Sequence, residues 1–64
     1  MSMKALQNGK VILTSLRDGN NLSVRGNGVV AFDSRNEGIQ EQLTLEVKGD
    51  KYFFVAHTGN VIMC

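Results

Sequence analysis

The chain has 64 residues, a formal net charge of +1, one cysteine and one histidine. This length limits it to a single domain, 1–64, and so short a domain buries only about 60% of its unfolded surface. A lone cysteine excludes an internal disulfide, and a lone histidine beside it excludes a His/Cys zinc set within one chain. We expect no metal and no cofactor, and we expect association between chains to supply the missing stability.

The charge and hydropathy of the chain also restrict its partners and its location. A nearly neutral chain disfavours nucleic acid as a partner. No apolar run approaches the roughly 20 residues that span a bilayer, so no membrane contact is expected. The first six residues lack the apolar core of a signal peptide, and a free thiol is typical of a reducing compartment. We therefore expect a cytoplasmic protein.

The first half of the chain predicts three strands. Seven glycines and no proline are spread along the sequence, and the intervals between them suit strands of about five or six residues. Strands are predicted at 10–16, 22–25 and 29–33. The segments 17–21 and 26–28 separate them as turns, because Asp-Gly and Asn-Gly supply the backbone conformations that tight hairpins need.

The second half predicts one helical turn at 39–42 and three more strands. Residues 43–48 alternate between apolar and polar side chains, which is typical of a strand with one buried face. A strand at 51–56 follows, and a sixth begins at 61–64. The predicted core consists of eight side chains from these strands: Leu13, Leu22, Val24, Phe32, Leu43, Leu45, Val47 and Phe54.

The strand at 51–56 carries aromatic side chains on both faces. Alternation places Phe53 on the face opposite Tyr52 and Phe54. One of these faces is core, and the other is left without a partner in a small domain. Burial in a contact between chains is the favoured explanation, and a stacking platform for nucleic acid is the alternative.

An internal repeat relates the two ends of the chain. Lys10 aligns with Lys51 at an offset of 41 residues, Leu13 aligns with Phe54, and one deletion in the turn brings Gly19 onto Gly59. Such self-similarity indicates an architecture of stacked copies. A chance alignment of hairpin residues is the alternative.

The repeated pattern resembles a repeat of the fascin-like β-trefoil proteins, and fibroblast growth factor trefoils share the same cadence. The residues that carry the resemblance are Lys10, Val11, Leu13, Gly19, Leu22, Ser23, Gly28, Val29, Leu43, Leu45 and Glu46. Asn21 departs from the pattern, since an aromatic residue often stands there.

The resemblance implies an all-β, hairpin-rich small barrel of β-trefoil type that a second chain completes. A trefoil needs three repeats of four strands, and this chain holds about one and a half. Two copies with six strands each would supply all twelve. The alternative is a self-contained barrel of the SH3-like or OB kind.

The sequence predicts a protein without catalytic activity. His57 lies in a predicted turn, where a lone histidine is usually a solvated surface residue. The acidic residues lie mostly in turns, where hydrogen bonds to their own backbone explain them. No Gly-Lys-Ser/Thr occurs, which excludes a phosphate-binding loop of the Walker type.

The resemblance implies a binding or scaffold module that self-associates, with a dimer favoured, and that takes a protein such as actin, or a carbohydrate, as ligand. Ligand contacts would fall on Arg17, Asn20, Arg25 and Asn27, because a rigid barrel presents its turns.

Two alternatives to this function stay open. A small-barrel regulator that binds nucleic acid or protein would gather Lys10, Arg25, Lys48 and Lys51 on one face. The truncated second repeat motivates the other alternative, a repeat fragment whose property is assembly itself.

Overall fold

A computed structural model describes residues 1–63, with Met63 described by its backbone alone, and Cys64 of the predicted sixth strand lies outside them. All pairings within this range are antiparallel, so the all-β prediction is confirmed. The described residues form seven strands and one short 3-10 helix, in the order β1 (Ser2–Ala5), the 3-10 helix (Gln7–Gly9), β2 (Lys10–Thr14), β3 (Asn21–Val24), β4 (Val30–Ser34), β5 (Leu43–Lys48), β6 (Lys51–Val55) and β7 (Val61–Met63).

The strand β1 is missing from the sequence-based prediction, although its turn carries a hairpin signal. Asn8 and Gly9 both have positive φ, at 62° and 75°, and Asn-Gly is the pair that favours this conformation. The Leu6 amide donates to the Lys10 carbonyl at 2.7 Å and closes the hairpin. With seven strands in the described residues of each chain, two copies bring fourteen, and the expected total of twelve is wrong.

The sheet curls because β2 shares one of its edges between two partners. The path through the sheet is β4-β3-β2-β5-β6-β7, with β1 on the opposite edge of β2. On the shared edge, β2 pairs with β5 through Lys10 and Val11 and with β3 through Thr14. The result is a strongly curled half-barrel, in which Met3 on β1 and Tyr52 on β6 line one depression although two strands lie between them.

The main buried cluster lies on one face of the curled sheet, which we call the inner face, while Ile12 is buried outside this cluster. Seven of the eight predicted core side chains belong to it, either buried or packed against the buried residues. The buried cluster comprises Val11, Leu13, Leu22, Val24, Leu43 and Ala56, and Phe32, Leu45, Phe54 and Ile62 pack against it.

Val47 is the core prediction that the structure contradicts, because its side chain is 60% exposed. It lies on the inner face, opposite Tyr52. Beyond Leu45, however, β5 runs past the cluster toward its turn with β6, and the described part of the chain leaves this end of the inner face largely uncovered.

The turn between β3 and β4 joins the strands closely, as predicted. The Gly28 amide donates to the Arg25 carbonyl at 2.9 Å, and Gly28 has a φ of 95°, a conformation that favours glycine. Asn27 acts through its side chain, whose Oδ1 accepts from the Val29 amide at 3.1 Å. The predicted helical turn at 39–42 is present as a turn in which the Glu41 amide donates to the Gly38 carbonyl.

The internal repeat is visible in the pairing of two hairpins. Ala5 lies opposite Val11 in the β1–β2 hairpin, as Val47 lies opposite Tyr52 in the β5–β6 hairpin. The three following pairs of each hairpin match in the same way. In the backbone, β1 therefore corresponds to β5, and β2 corresponds to β6.

The turns that follow these hairpins also match. The Ser15 amide donates to the Asn20 carbonyl at 2.9 Å, and the Ala56 amide donates to the Asn60 carbonyl at the same distance. The one-residue deletion of the sequence alignment thus falls inside a turn. The complete unit is β2 to β5, and β6 and β7 begin the next one.

Candidate functional site

Exposed and half-buried apolar side chains gather at one end of the inner face. We call this set the inner patch, and it consists of Met3, Leu45, Val47, Tyr52 and Phe54. Four of these side chains, all but Val47, line an open depression of about 480 Å³. Leu45 and Phe54 pack against the buried cluster on one side, so the inner patch is a continuation of the core that meets solvent.

The register of the β5–β6 hairpin creates the inner patch. Leu45 lies opposite Phe54, and Val47 lies opposite Tyr52, so alternation sends all four side chains to the inner face. Met3 reaches the same place from β1. Met3, Val47 and Tyr52 are each more than half exposed, and contiguous apolar surface of this kind commonly marks an interaction site.

The outer face of the same hairpin carries Phe53, which lies opposite Glu46. The predicted distribution of aromatic residues on both faces of this strand is therefore confirmed. The Lys48 ammonium lies 6.0 Å from the centre of the Phe53 ring, at the limit of a cation–π contact. A smaller depression of about 260 Å³ is lined by Glu46, Lys48, Phe53, Val55, Gly59 and Val61.

The basic residues of the outer face are spread out. Lys48 lies directly opposite Lys51, whereas Lys10 lies opposite Thr44. Thr44 and Lys48 are four residues apart, which is about 13 Å along a strand. Lys10 also donates from Nζ to Thr44 Oγ1 at 2.8 Å. These lysines share a face without forming one patch.

The four predicted ligand-binding residues fall into two pairs. Arg17 and Asn20 lie between β2 and β3, and Arg25 and Asn27 lie between β3 and β4. Because consecutive antiparallel strands reverse direction, these turns lie at opposite ends of β3. The structure does not bring the four residues together, and their binding of a ligand stays a prediction.

Local structure engages the side chains of Arg25 and Asn27, but only the backbone of Arg17 and Asn20. Arg25 forms an ion pair with Asp33 at 2.8 Å across β3 and β4. The backbone amide of Asn20 donates to Asp18 Oδ1 at 3.1 Å, and the backbone amide of Arg17 donates to Ser15 Oγ at 3.2 Å. These bonds give the turn residues a role in shaping the hairpins.

The groups with potential acid–base chemistry also have structural partners. Nε2 of His57 lies 2.8 Å from the Val24 carbonyl oxygen, and since a carbonyl only accepts, this nitrogen carries the proton. The buried Glu41 carboxylate accepts from the Gly38 amide at 2.9 Å. Glu37 pairs with Lys4 at 3.1 Å.

Two further features concern the described residues alone. Within 1–63, no three His, Cys, Asp or Glu side chains gather in a way that would hold a metal ion. In the same range, no helix has the length and apolar character needed to cross a bilayer.

No protein-family model, curated protein or solved structure gives a significant match to the chain. The resemblance to fascin-like trefoil repeats therefore stays a prediction that rests on the residues named for it. The inner patch is the surface on which a function can be based, and the sequence indicated it only through the two aromatic residues on one face of β6.

Proposed function

We propose that this chain is a non-catalytic scaffold module of β-trefoil type that acts by joining its inner patch to that of a second copy. The observation that carries the proposal is the exposure of Met3, Val47 and Tyr52 on the face that holds the core. Burying a Val or Met side chain fully stabilises a structure by about 1.5–3 kcal/mol. A second half-barrel would contribute the same apolar side chains to the contact.

A symmetric pair suits this surface. In a twofold dimer the same patch serves both chains, so every exposed apolar side chain of one inner patch meets apolar surface of the other. The four strands β2 to β5 match the four-stranded repeat that the trefoil resemblance implies. Fourteen strands from two chains exceed the twelve of a trefoil, so we propose the trefoil repeat without threefold closure.

The proposed module presents its turns from a rigid barrel. The turn that holds Arg17 and Asn20 and the turn that holds Arg25 and Asn27 would bind separately, and the ligand class is protein or carbohydrate. The structural bonds of His57 and Glu41 support a role without acid–base catalysis. We propose action in the cytoplasm on the basis of the single free thiol. We propose no metal or cofactor, because one histidine and one cysteine cannot form a His/Cys zinc set.

One observation favours a second candidate function. Lys48, Lys51 and Phe53 lie on the same outer face of the β5–β6 hairpin, and a cation beside an aromatic ring is a platform on which a base can stack. The chain would then be a small-barrel regulator that binds nucleic acid or protein. Titration with a labelled single strand at two salt concentrations tests it, since binding to phosphates weakens steeply with salt.

A charge in the inner patch tests the proposed association. We expect Val47→Asp to raise the dimer dissociation constant by about 100-fold, because association would bury an unpaired carboxylate. Folding should survive, since the side chain is exposed in the single chain. Sedimentation velocity measures the association, and circular dichroism checks the fold.

Leu16→Asp is the matched control. Leu16 is 75% exposed and lies in the turn between β2 and β3, away from the inner patch, so this variant should associate like the original chain. Equal association of both variants would contradict the proposed role of the inner patch.

A further inference from the structure

The junction between β2 and β5 shows how two barrel strands of this chain fit together. Lys10 lies opposite Thr44, and Val11 lies opposite Leu43. The Lys10 ammonium donates to Thr44 Oγ1 at 2.8 Å. On the inner face, Val11 is 5% exposed and Leu43 is fully buried. The junction therefore combines a lysine–hydroxyl pair outside with an apolar pair inside.

Through the internal repeat, the residues equivalent to each side of this junction occur a second time, on the two outermost barrel strands β6 and β1. Because β6 corresponds to β2, Lys51 and Tyr52 correspond to the two β2 residues of the junction. Because β1 corresponds to β5, Ser2 and Met1 correspond to its two β5 residues. The chemistry is kept at each position: a lysine, a hydroxyl and two apolar side chains.

Among residues 1–63, these four positions lack the strand partners that their counterparts have. On β6, the edge away from β5 pairs with β7 through Phe54 and Val55, and the pairings among residues 1–63 include neither Lys51 nor Tyr52 on that edge. Met1 and Tyr52 are each 59% exposed. Exposed edges of this kind are templates for another strand.

We propose that β6 of one chain pairs antiparallel with β1 of a second copy, in the register of the β2–β5 junction. Lys51 then lies opposite the partner subunit's Ser2 and donates to its hydroxyl. Tyr52 lies opposite the partner subunit's Met1 and covers it on the inner face. This inference rests on the proposed self-association and gives it a register.

Two such junctions close a dimer. Each half-barrel contributes β1, β2, β5 and β6, so two copies form a ring of eight strands. A ring of about eight strands encloses a space that side chains fill, and the two inner patches lie inside it. Each junction joins the β6 edge of one chain to the β1 edge of the other. Contacts between two different surfaces close into a ring when the rotation that relates the two copies permits it. The curl of the half-barrel provides that rotation.

Disulfide trapping tests the register. In a Cys64→Ser background, the Ser2→Cys/Lys51→Cys variant should form a covalent dimer on mild oxidation, because opposite residues of antiparallel strands lie about 4.5–5.5 Å apart between Cα atoms. The control is Lys4→Cys/Lys51→Cys, which moves one cysteine two residues along the same face. Diagonal neighbours lie about 7–8 Å apart, beyond the reach of a disulfide. Both variants are also sedimented under reducing conditions.

The outcomes separate the register from the association itself. A covalent dimer of the first variant alone supports the proposal. Association without a covalent dimer, or equal trapping of both variants, overturns the register and leaves self-association standing. An oxidised monomer or a covalent ladder beyond two chains overturns the closed dimer. If the unaltered chain and both reduced variants sediment as monomers, both the register and the proposed function fail.

Substitution of Ser2 provides a second test of the register, which needs no disulfide. Ser2→Ala should weaken the dimer on the order of fivefold at each junction, because the Lys51 ammonium loses its acceptor. Ser2→Thr should keep the original affinity, since threonine is the residue that accepts from lysine within the chain. Equal affinities of the two variants would overturn the proposed lysine–hydroxyl pair.

Discussion

Replacing Leu43 with alanine should lower the free energy of unfolding by about 2–5 kcal/mol. Leu43 begins β5, lies opposite Val11 and is fully buried in the cluster that joins β2, β3 and β5. Its removal leaves a cavity that the surrounding strands cannot fill without breaking their pairing. A core of this size rarely supplies more than about 3–5 kcal/mol, so we expect much of the variant to be unfolded in water.

Urea denaturation followed by circular dichroism measures this loss. Leu16→Ala is the control, because it makes the same chemical change at an exposed turn position and should stay within about 0.5 kcal/mol of the original stability. A loss below about 1 kcal/mol for Leu43→Ala would show that the core lies elsewhere.

Phe54→Ala has the other large expected effect, and its size should depend on protein concentration. The ring packs against the buried cluster and also lines the open depression of the inner patch. In a dimer both sides of the ring are buried, and the loss should approach the 3–5 kcal/mol typical of a core phenylalanine. In the monomer, one side already meets water, and the loss should be smaller.

Phe53→Ala is the matched control for this dependence. It removes the same side chain one residue earlier on the same strand, but from the outer face. The half-buried ring contributes packing and the contact with Lys48, so stability should fall by an amount that does not change with protein concentration. Unfolding curves at low and high concentration compare the two variants. If the loss of stability in Phe54→Ala did not depend on protein concentration, this would show that no second copy covers the Phe54 ring.

Local sequence patterns predict most of the strands. The alternation at 43–48 gives β5 and its inner face directly, and the glycines and asparagines mark the turns around β3 and β4. The strand β1 escapes such reasoning although residues 1–5 alternate between apolar and polar side chains, because the segment is short and has none of the β-branched or aromatic residues that favour strands. It forms a strand by pairing with the free edge of β2. The Asn8-Gly9 turn is the local signal that would have revealed it.

Alternation identifies the face of the sheet on which a side chain lies. It does not show where along the strand other elements stop burying that face. It places Val47 on the inner face correctly and predicts its burial wrongly, because burial there depends on elements that the described chain does not supply. The candidate ligand residues show the same limit. Composition marks Arg17 and Arg25 as turn residues, whereas the direction of the strands places their turns at opposite ends of β3.

If a second copy completes the half-barrel, the mass of the chain in solution must reveal it. Sedimentation equilibrium of the unaltered protein, from about 1 to 100 micromolar, covers the range in which weak dimers dissociate. We predict a mass that rises from 7.0 kDa to twice that value. A folded monomer of 7.0 kDa at every concentration would contradict the completion of the half-barrel by a second copy.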